Sequence, residues 1–179
     1  MTTIEHKKKL TNESYDCAVY TISTSRYNLY GDAKYPENAE DKSGQIIINL
    51  LRENGHNIID YKLLPDELKE IKNNIVMALN GNAEVIITTG GTGLTPSDVT
   101  IEAIEPLLEK EMPGFGELFR MKSINQIGTA IILTRALGGV ANKKAIFCLP
   151  GSSKAVKLAI EEIILPEIEH IIKHIRGNI

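Results

Sequence analysis

The chain has 179 residues, with 20 Lys and Arg against 23 Asp and Glu and a formal net charge of −3. That length supports one hydrophobic core without disulfides or a structural metal, and the isoelectric point near 5.8 carries no footprint of a nucleic-acid binder. No run is apolar for long enough to span a bilayer, and residues 1–14 are too polar for a secretory signal, so the sequence predicts a cytoplasmic protein with no membrane partner.

Residues 1–14, with Lys7, Lys8 and Lys9, read as a flexible solvated tail, and residues 15–179 as a single domain. Residues 15–22 form the first predicted strand, with Ser23, Thr24 and Ser25 at its C-terminal end. The segment 26–41 has no clear period and reads as a lid or variable loop. Ser43 opens a helix with Ile46, Ile47, Leu50 and Leu51 on one face, closed by Gly55. Residues 56–64 are the second strand, ending at Pro65 and Asp66; a helix from Leu68 to Leu79 stops at Asn80 and Gly81, and the third strand covers 84–89. Strand, helix, strand, helix, strand predicts a parallel sheet with right-handed crossovers.

The third strand empties into Gly90-Gly91-Thr92-Gly93, whose glycines tolerate positive φ and whose backbone turns several N–H groups toward one anion. Thr95, Pro96 and Asp98 then spell a helix start, with Thr95 as N-cap and Asp98 as the capping-box acid. Pro106 predicts a kink in the helix that follows. Met112 to Gly116 reads as a second glycine-rich turn, and 130–137 is ambiguous between short helix and strand. Residues 145–149 are a strand running into Pro150, Gly151, Ser152 and Ser153; the closing helix is broken at Pro166, and Ile168, Ile171, Ile172 and Ile175 form a last stripe over a core or an interface.

In a doubly wound sheet, strand C-terminal ends share one edge, so Ser23 to Ser25, Asp66, Gly90 to Gly93 and Gly151 with Ser152 are predicted neighbours. Glycine nests, hydroxyls and two acids suit phosphate with a divalent cation. Each acid has a structural reading as well, Asp98 as a helix cap and Asp66 as an N-cap after Pro65. Neither a Walker loop nor a dinucleotide fingerprint fits the glycine spacing. His170 and His174 stand four apart, but Ile171 occupies the place of a zinc-hydrolase glutamate, so they read as surface or interface residues. Cys17 and Cys148 lie in strands without a Cys or His at ligand spacing and read as small buried hydrophobes.

Thr88 to Gly93 with Asp98-Val99-Thr100, and Glu111 to Glu117, resemble the MoaB and MogA proteins of molybdenum cofactor biosynthesis, and chain length is nearer to MoaB. Agreement extends through Leu64-Pro65-Asp66, Gly128-Thr129-Ala130, Thr134-Arg135-Ala136 and Leu149-Pro150-Gly151-Ser152. The resemblance implies an α/β three-layer sandwich, a mostly parallel doubly wound sheet with helices on both faces. It implies Mg²⁺-assisted, ATP-dependent adenylylation of molybdopterin with release of pyrophosphate, in a homotrimer or homohexamer that hands its product to a separate metal-insertion protein. The alternative is a non-catalytic molybdopterin-binding or carrier protein of the same pathway. By position, Asp66 and Asp98 match catalytic, Mg²⁺-handling acids, and Thr89, Gly90, Gly91, Thr92 and Gly93 match the phosphate loop. Ser25, Gly114, Gly151 and Ser152 line the same pocket in that resemblance, and Arg135 is a candidate phosphate partner or a salt-bridge residue. Arg26 and Tyr27 follow Ser25 where the family has an aspartate nearby, and Ser153 replaces a proline.

Overall fold

The structure, a computed structural model, describes residues 13–177. The tail reading falls on residues 1–12, outside that range, except for Glu13 and Ser14; Glu13 accepts from Tyr15 Oη at 3.1 Å and pairs with Arg176 at 3.5 Å. A six-stranded sheet runs in the order β2-β1-β3-β6-β5-β4. Its parallel part is β1 (Asp16–Ile22), β2 (Asn57–Leu64), β3 (Val85–Thr89) and β6 (Lys144–Leu149). At one margin β5 (Leu137–Ala141) pairs antiparallel with β6, and the two-residue β4 (Lys110–Glu111) pairs antiparallel with β5.

Helices cover both faces because the central strands are apolar on both. Cys17, Val19, Val85, Ile87 and Phe147 pack into one cluster with α2 (Lys42–Glu53), α5 (Pro113–Ile127), α6 (Ser153–Ala159) and α7 (Leu165–Arg176). Their strand neighbours Ala18, Tyr20, Ile86 and Cys148 pack on the other face under α3 (Leu68–Asn80) and α4 (Thr100–Ile104). This is the expected α/β three-layer sandwich. Both cysteines are free and buried, and burial pushes each thiol up to about 12, as inert core residues require.

The segment 26–41 is not the irregular loop its sequence suggests. Helix α1 (Thr24–Tyr30) starts directly after β1, with Ser23 as N-cap, and a single 3-10 turn covers Pro36–Ala39. Seven residues make less than two turns, and α1 buries none of them, so no period is written there. Met112 to Gly116 is not a turn either: Met112 is the N-cap of α5 and Pro113 its first residue. Gly116 is needed for packing, since a Cβ there would lie 2.8 Å from the Ala136 carbonyl oxygen. The ambiguous 130–137 region divides between a 3-10 run, Gly128–Leu133, and the start of β5.

Pro106 ends α4 at Ile104 and opens a 3-10 turn, as expected. Pro166 does not break its helix. A wide π turn over Ile160–Ile164 joins α6 to α7, with the Leu165 N–H bonded to the Ile160 carbonyl, and Pro166 sits in the first turn of α7. Proline lacks the N–H and crowds the carbonyl four residues back, and the wider turn relieves both. The stripe above it belongs to the core, because Ile168 and Ile172 are each 1% exposed. Exposed apolar side chains include several on α5 and the 3-10 run after it, where Met121 is 70% and Ile132 84% exposed, and others elsewhere such as Leu29 and Leu94.

Candidate functional site

The chain crosses from β1 to β2 on one side and then to β3 on the other, so β1 and β3 flank the point where the sheet reverses direction of growth. Open α/β sheets bind ligands in the crevice beyond the strand ends at such a point. β1 ends there in Ser23 and Thr24, and β3 in Gly90 to Gly93.

Gly90 (φ 96°) and Gly91 (φ 60°) both take positive φ. The constraint on Gly90 is also one of space, since a Cβ would stand 2.2 Å from the Ile22 carbonyl oxygen. The loop's carbonyls are pinned to the protein: Thr100 Oγ1 donates to Gly90 O (2.9 Å), Thr100 N–H to Gly91 O (3.0 Å) and Arg135 Nε to Thr92 O (3.0 Å). With the carbonyl side held, Gly90 N–H bonded to the Leu149 carbonyl (3.0 Å) and Gly93 N–H turned to the Asp98 carboxylate, the N–H groups left in the loop are those of Gly91 and Thr92. Thr92 is buried, and Thr89 turns its hydroxyl away to the Pro150 carbonyl (3.1 Å).

The two acids reach this loop from different directions. Asp66 is not a helix cap; Glu67 takes that position, and Asp66 Oδ2 accepts from Thr24 N–H (2.7 Å) and Thr24 Oγ1 (2.8 Å), tying β2's end to β1's. Its other oxygen, Oδ1, would be 2.8 Å from a Cβ on Gly91. Asp98 Oδ2 accepts from Thr95 N–H (2.9 Å) and Thr95 Oγ1 (2.6 Å), and lies 2.7 Å from where a Gly93 Cβ would stand. The Thr95 N–H bond is one half of a capping box; the other half is missing, since Asp98 N–H goes to the Thr95 carbonyl (2.9 Å), and Thr95 does not open a helix, because α4 begins at Thr100 and these bonds close a free-standing turn. Partial burial pushes the Asp98 carboxyl up, yet the Thr95 bonds, the Gly93 N–H and the charge of Arg135 outweigh it and hold it below the ordinary carboxylate value.

Arg135 is a brace rather than a free phosphate partner. Its guanidinium forks onto Glu102 (2.5 and 3.4 Å), and it also donates to the Asp98 carbonyl (3.3 Å) and to Thr92, locking the loop to α4. Gly151 does join the site: a Cβ on it would be 3.3 Å from Gly90 Cα, and its carbonyl accepts from Ser43 Oγ (2.8 Å). Ser152 caps α6 through Ala155 N–H (3.2 Å). Ser25 is exposed in the first turn of α1, its hydroxyl 3.2 Å from Ser23 Oγ. Gly114 is exposed in the first turn of α5, with nothing within 4 Å of a Cβ, and no contact within the described residues joins it to the glycine loop.

Sequence reasoning missed Asp41. It is 3% exposed, N-caps α2 through Gly44 N–H (3.0 Å), and accepts from Thr21 Oγ1 (2.6 Å) and Tyr61 Oη (2.9 Å). An acid three residues before Gly44 at a helix start is an N-cap signal, hidden here by reading 26–41 as one loop. A concavity of about 800 Å³ runs along the outer edge of β2 beside Tyr35, Arg52 and Lys62, and neither Asp66, Asp98 nor the glycine loop lines it. His170 and His174 pair with each other at 2.8 Å on α7, whose Arg176 reaches Glu84 at the opposite end of β3. The described helices include none long and apolar enough to cross a membrane.

Fold and site together define a doubly wound α/β protein with a glycine loop flanked by two carboxylates at its switch point. Residues 18–170 match the family described as a probable molybdopterin binding domain. The molybdenum cofactor biosynthesis protein B of a Bacillus cereus strain is 42% identical over 173 residues, 96% of each chain, and that of Bacillus subtilis is 40% identical over 180 residues, 99% of each. Among solved structures, a molybdenum cofactor biosynthesis protein B superposes with a TM-score of 0.82 at 41% identity, over 92% of this chain and 98% of that one. The tungsten cofactor synthesizing protein MoaB from Pyrococcus furiosus gives 0.79 at 40% identity, over 93% and 99%. The chain belongs to the MoaB and MogA family of molybdenum cofactor biosynthesis proteins.

Proposed function

We propose that the protein works in molybdenum cofactor biosynthesis by adenylylating molybdopterin: the terminal phosphate of molybdopterin attacks the α-phosphorus of ATP, and pyrophosphate leaves. The observation that carries this is the flanking of one glycine loop by two carboxylates, Asp66 against Gly91 and Asp98 against Gly93. Both reactants are anionic and the nucleophile belongs to the substrate, so the protein's work is to hold two phosphates in line and balance their charge.

The donor set fits Mg²⁺. Among the described residues no group of three or more His, Cys, Asp or Glu gathers to cage a metal, and Mg²⁺ bound with phosphates takes only one or two protein carboxylates. Asp66 and Asp98 would hold it, and when bound it supplies positive charge to the phosphate oxygens. The chain's own groups do the rest. The Gly91 and Thr92 N–H groups orient a phosphate, the Thr24 and Thr95 bonds fix each carboxylate at one oxygen, and Arg135 ties the loop to α4. We also propose assembly into a homotrimer or homohexamer through the apolar surface of α5 and the 3-10 run after it, where Met121, Ile124 and Ile132 are exposed. Light scattering then gives three or six times the chain mass, and a monomer counts against the patch as an interface.

The test of the reaction is incubation with molybdopterin, ATP and Mg²⁺, followed by separation of adenylylated molybdopterin and assay of pyrophosphate. Both products are expected, and both are lost without Mg²⁺. Tight molybdopterin binding with no product and no ATP binding means a carrier instead.

A further inference from the structure

Between the ends of β1 and β6 lies a small cavity of about 140 Å³, walled by Ser23, Arg26, Asp41, Ser43, Gly90 and Gly151. At the volume water occupies in the liquid, that is room for roughly five waters, below the range of pockets that hold a whole cofactor. It admits a phosphoryl-sized group. It opens on the same glycines that bound the proposed phosphate loop, so a group lodged here is continuous with a ligand lying across Gly90.

The wall's polar groups are mostly committed to the fold. Thr21 Oγ1, Tyr61 Oη and Gly44 N–H already donate to Asp41, Ser43 Oγ donates to Gly151 O, and Thr89 Oγ1 to Pro150 O. Asp41 is thus a three-bond hub holding β1, β2 and α2 together. Arg26 is the exception. Its backbone N–H is held by Ser23 Oγ at 3.4 Å, which sets the first turn of α1, but its side-chain Nε is buried with no hydrogen-bond partner among the described residues. A buried guanidinium N–H with nothing to donate to costs free energy that an incoming oxygen recovers, and the planar fork of arginine matches phosphate oxygens two at a time.

We propose that Arg26 is a phosphoryl-binding residue of this site, donating from inside the small cavity to a substrate phosphate that the Gly90 loop holds from the other side. The proposal rests on the reading of the site as one that takes phosphate-bearing ligands. The phosphate is either that of molybdopterin or one of ATP's. Asp41 on the same wall opposes any anion, and the Arg26 cation offsets that charge; without it the cavity presents a carboxylate alone.

Isothermal titration of the wild type, Arg26→Met and Arg26→Lys with molybdopterin, ATP and inorganic pyrophosphate, each with Mg²⁺, tests this. Met keeps the length of the stem and removes the donors; circular dichroism establishes that each variant is folded. Arg26→Met is expected to weaken at least one ligand by about 10-fold or more, raising KM for that substrate more than it lowers kcat, with Arg26→Lys recovering part of the loss. The arm that weakens identifies the phosphate. Binding of all three ligands by Arg26→Met at wild-type strength overturns the proposal whether or not the protein turns over. Arg26-dependent binding without adenylylated product supports the proposal and overturns the reaction instead, and a wild type that binds none of the three overturns both.

Discussion

Asp98→Asn lowers turnover by about 10²–10³-fold while leaving the protein folded. Asparagine has the same shape, so its carbonyl still accepts from Thr95 N–H, and the crowded approach of Gly93 is preserved. What disappears is the negative charge, and with it the capacity to hold Mg²⁺ against a phosphate. The side chain is only half-buried, so its loss removes no core packing. Steady-state kinetics with both substrates, alongside thermal unfolding, checks this; wild-type turnover in the folded variant removes Asp98 from the mechanism. The acid arm of stability provides a second readout. Because the hydrogen bonds and Arg135 depress the Asp98 carboxyl below its ordinary value of 3.8, its contribution is fully present above that value and is lost as pH falls through the depressed one. The asparagine variant lacks that titration.

Gly90→Ala destabilises the protein by about 2–5 kcal/mol and abolishes phosphate-ligand binding. Two costs combine, a side chain forced to φ 96° and a methyl placed 2.2 Å from the Ile22 carbonyl oxygen. Ile22 ends β1 and cannot yield without disturbing the β1–β3 pairing, which extends from Cys17 with Val85 to Thr21 with Thr89. Gly114→Ala is the control. Nothing lies within 4 Å of a Cβ there, and its place in a helix favours alanine, so its urea midpoint stays level or rises. Equal loss in both variants would mean that Gly90 has no special role. The same contrast separates two glycines that sequence resemblance grouped together: Gly90 is indispensable where strands end, and Gly114 is a helix residue on the surface.

The strands β1, β2, β3 and β6 and the loop after β3 were legible because each is an apolar run cut off by Gly, Pro, Ser or Asp. Their convergence was legible too, since parallel strands bring all C-terminal ends to one edge. The antiparallel margin was not, because β4 has only two residues and β5 carries Gly138 and Gly139 where an alternating pattern would show. Gly138 fits there because Phe115 of α5 would lie 3.0 Å from its Cβ, a reason that exists only once α5 has packed. Asp41 and Arg26 fell inside a segment too short in each element to show a period.

By itself, then, the sequence determined the parallel strands, the glycine loop and the identity of the two acids, since alternation, chain reversal and local capping are written in neighbouring residues. Which way those acids face was decided by tertiary structure. Asp66 is oriented by Thr24, 42 residues away, because β2 lies beside β1, and Asp98 is oriented by Thr95 within a turn that Arg135 clamps from 37 residues away. A local pattern names a helix start equally well for both. Only strand order and the clamp set each carboxylate against the loop.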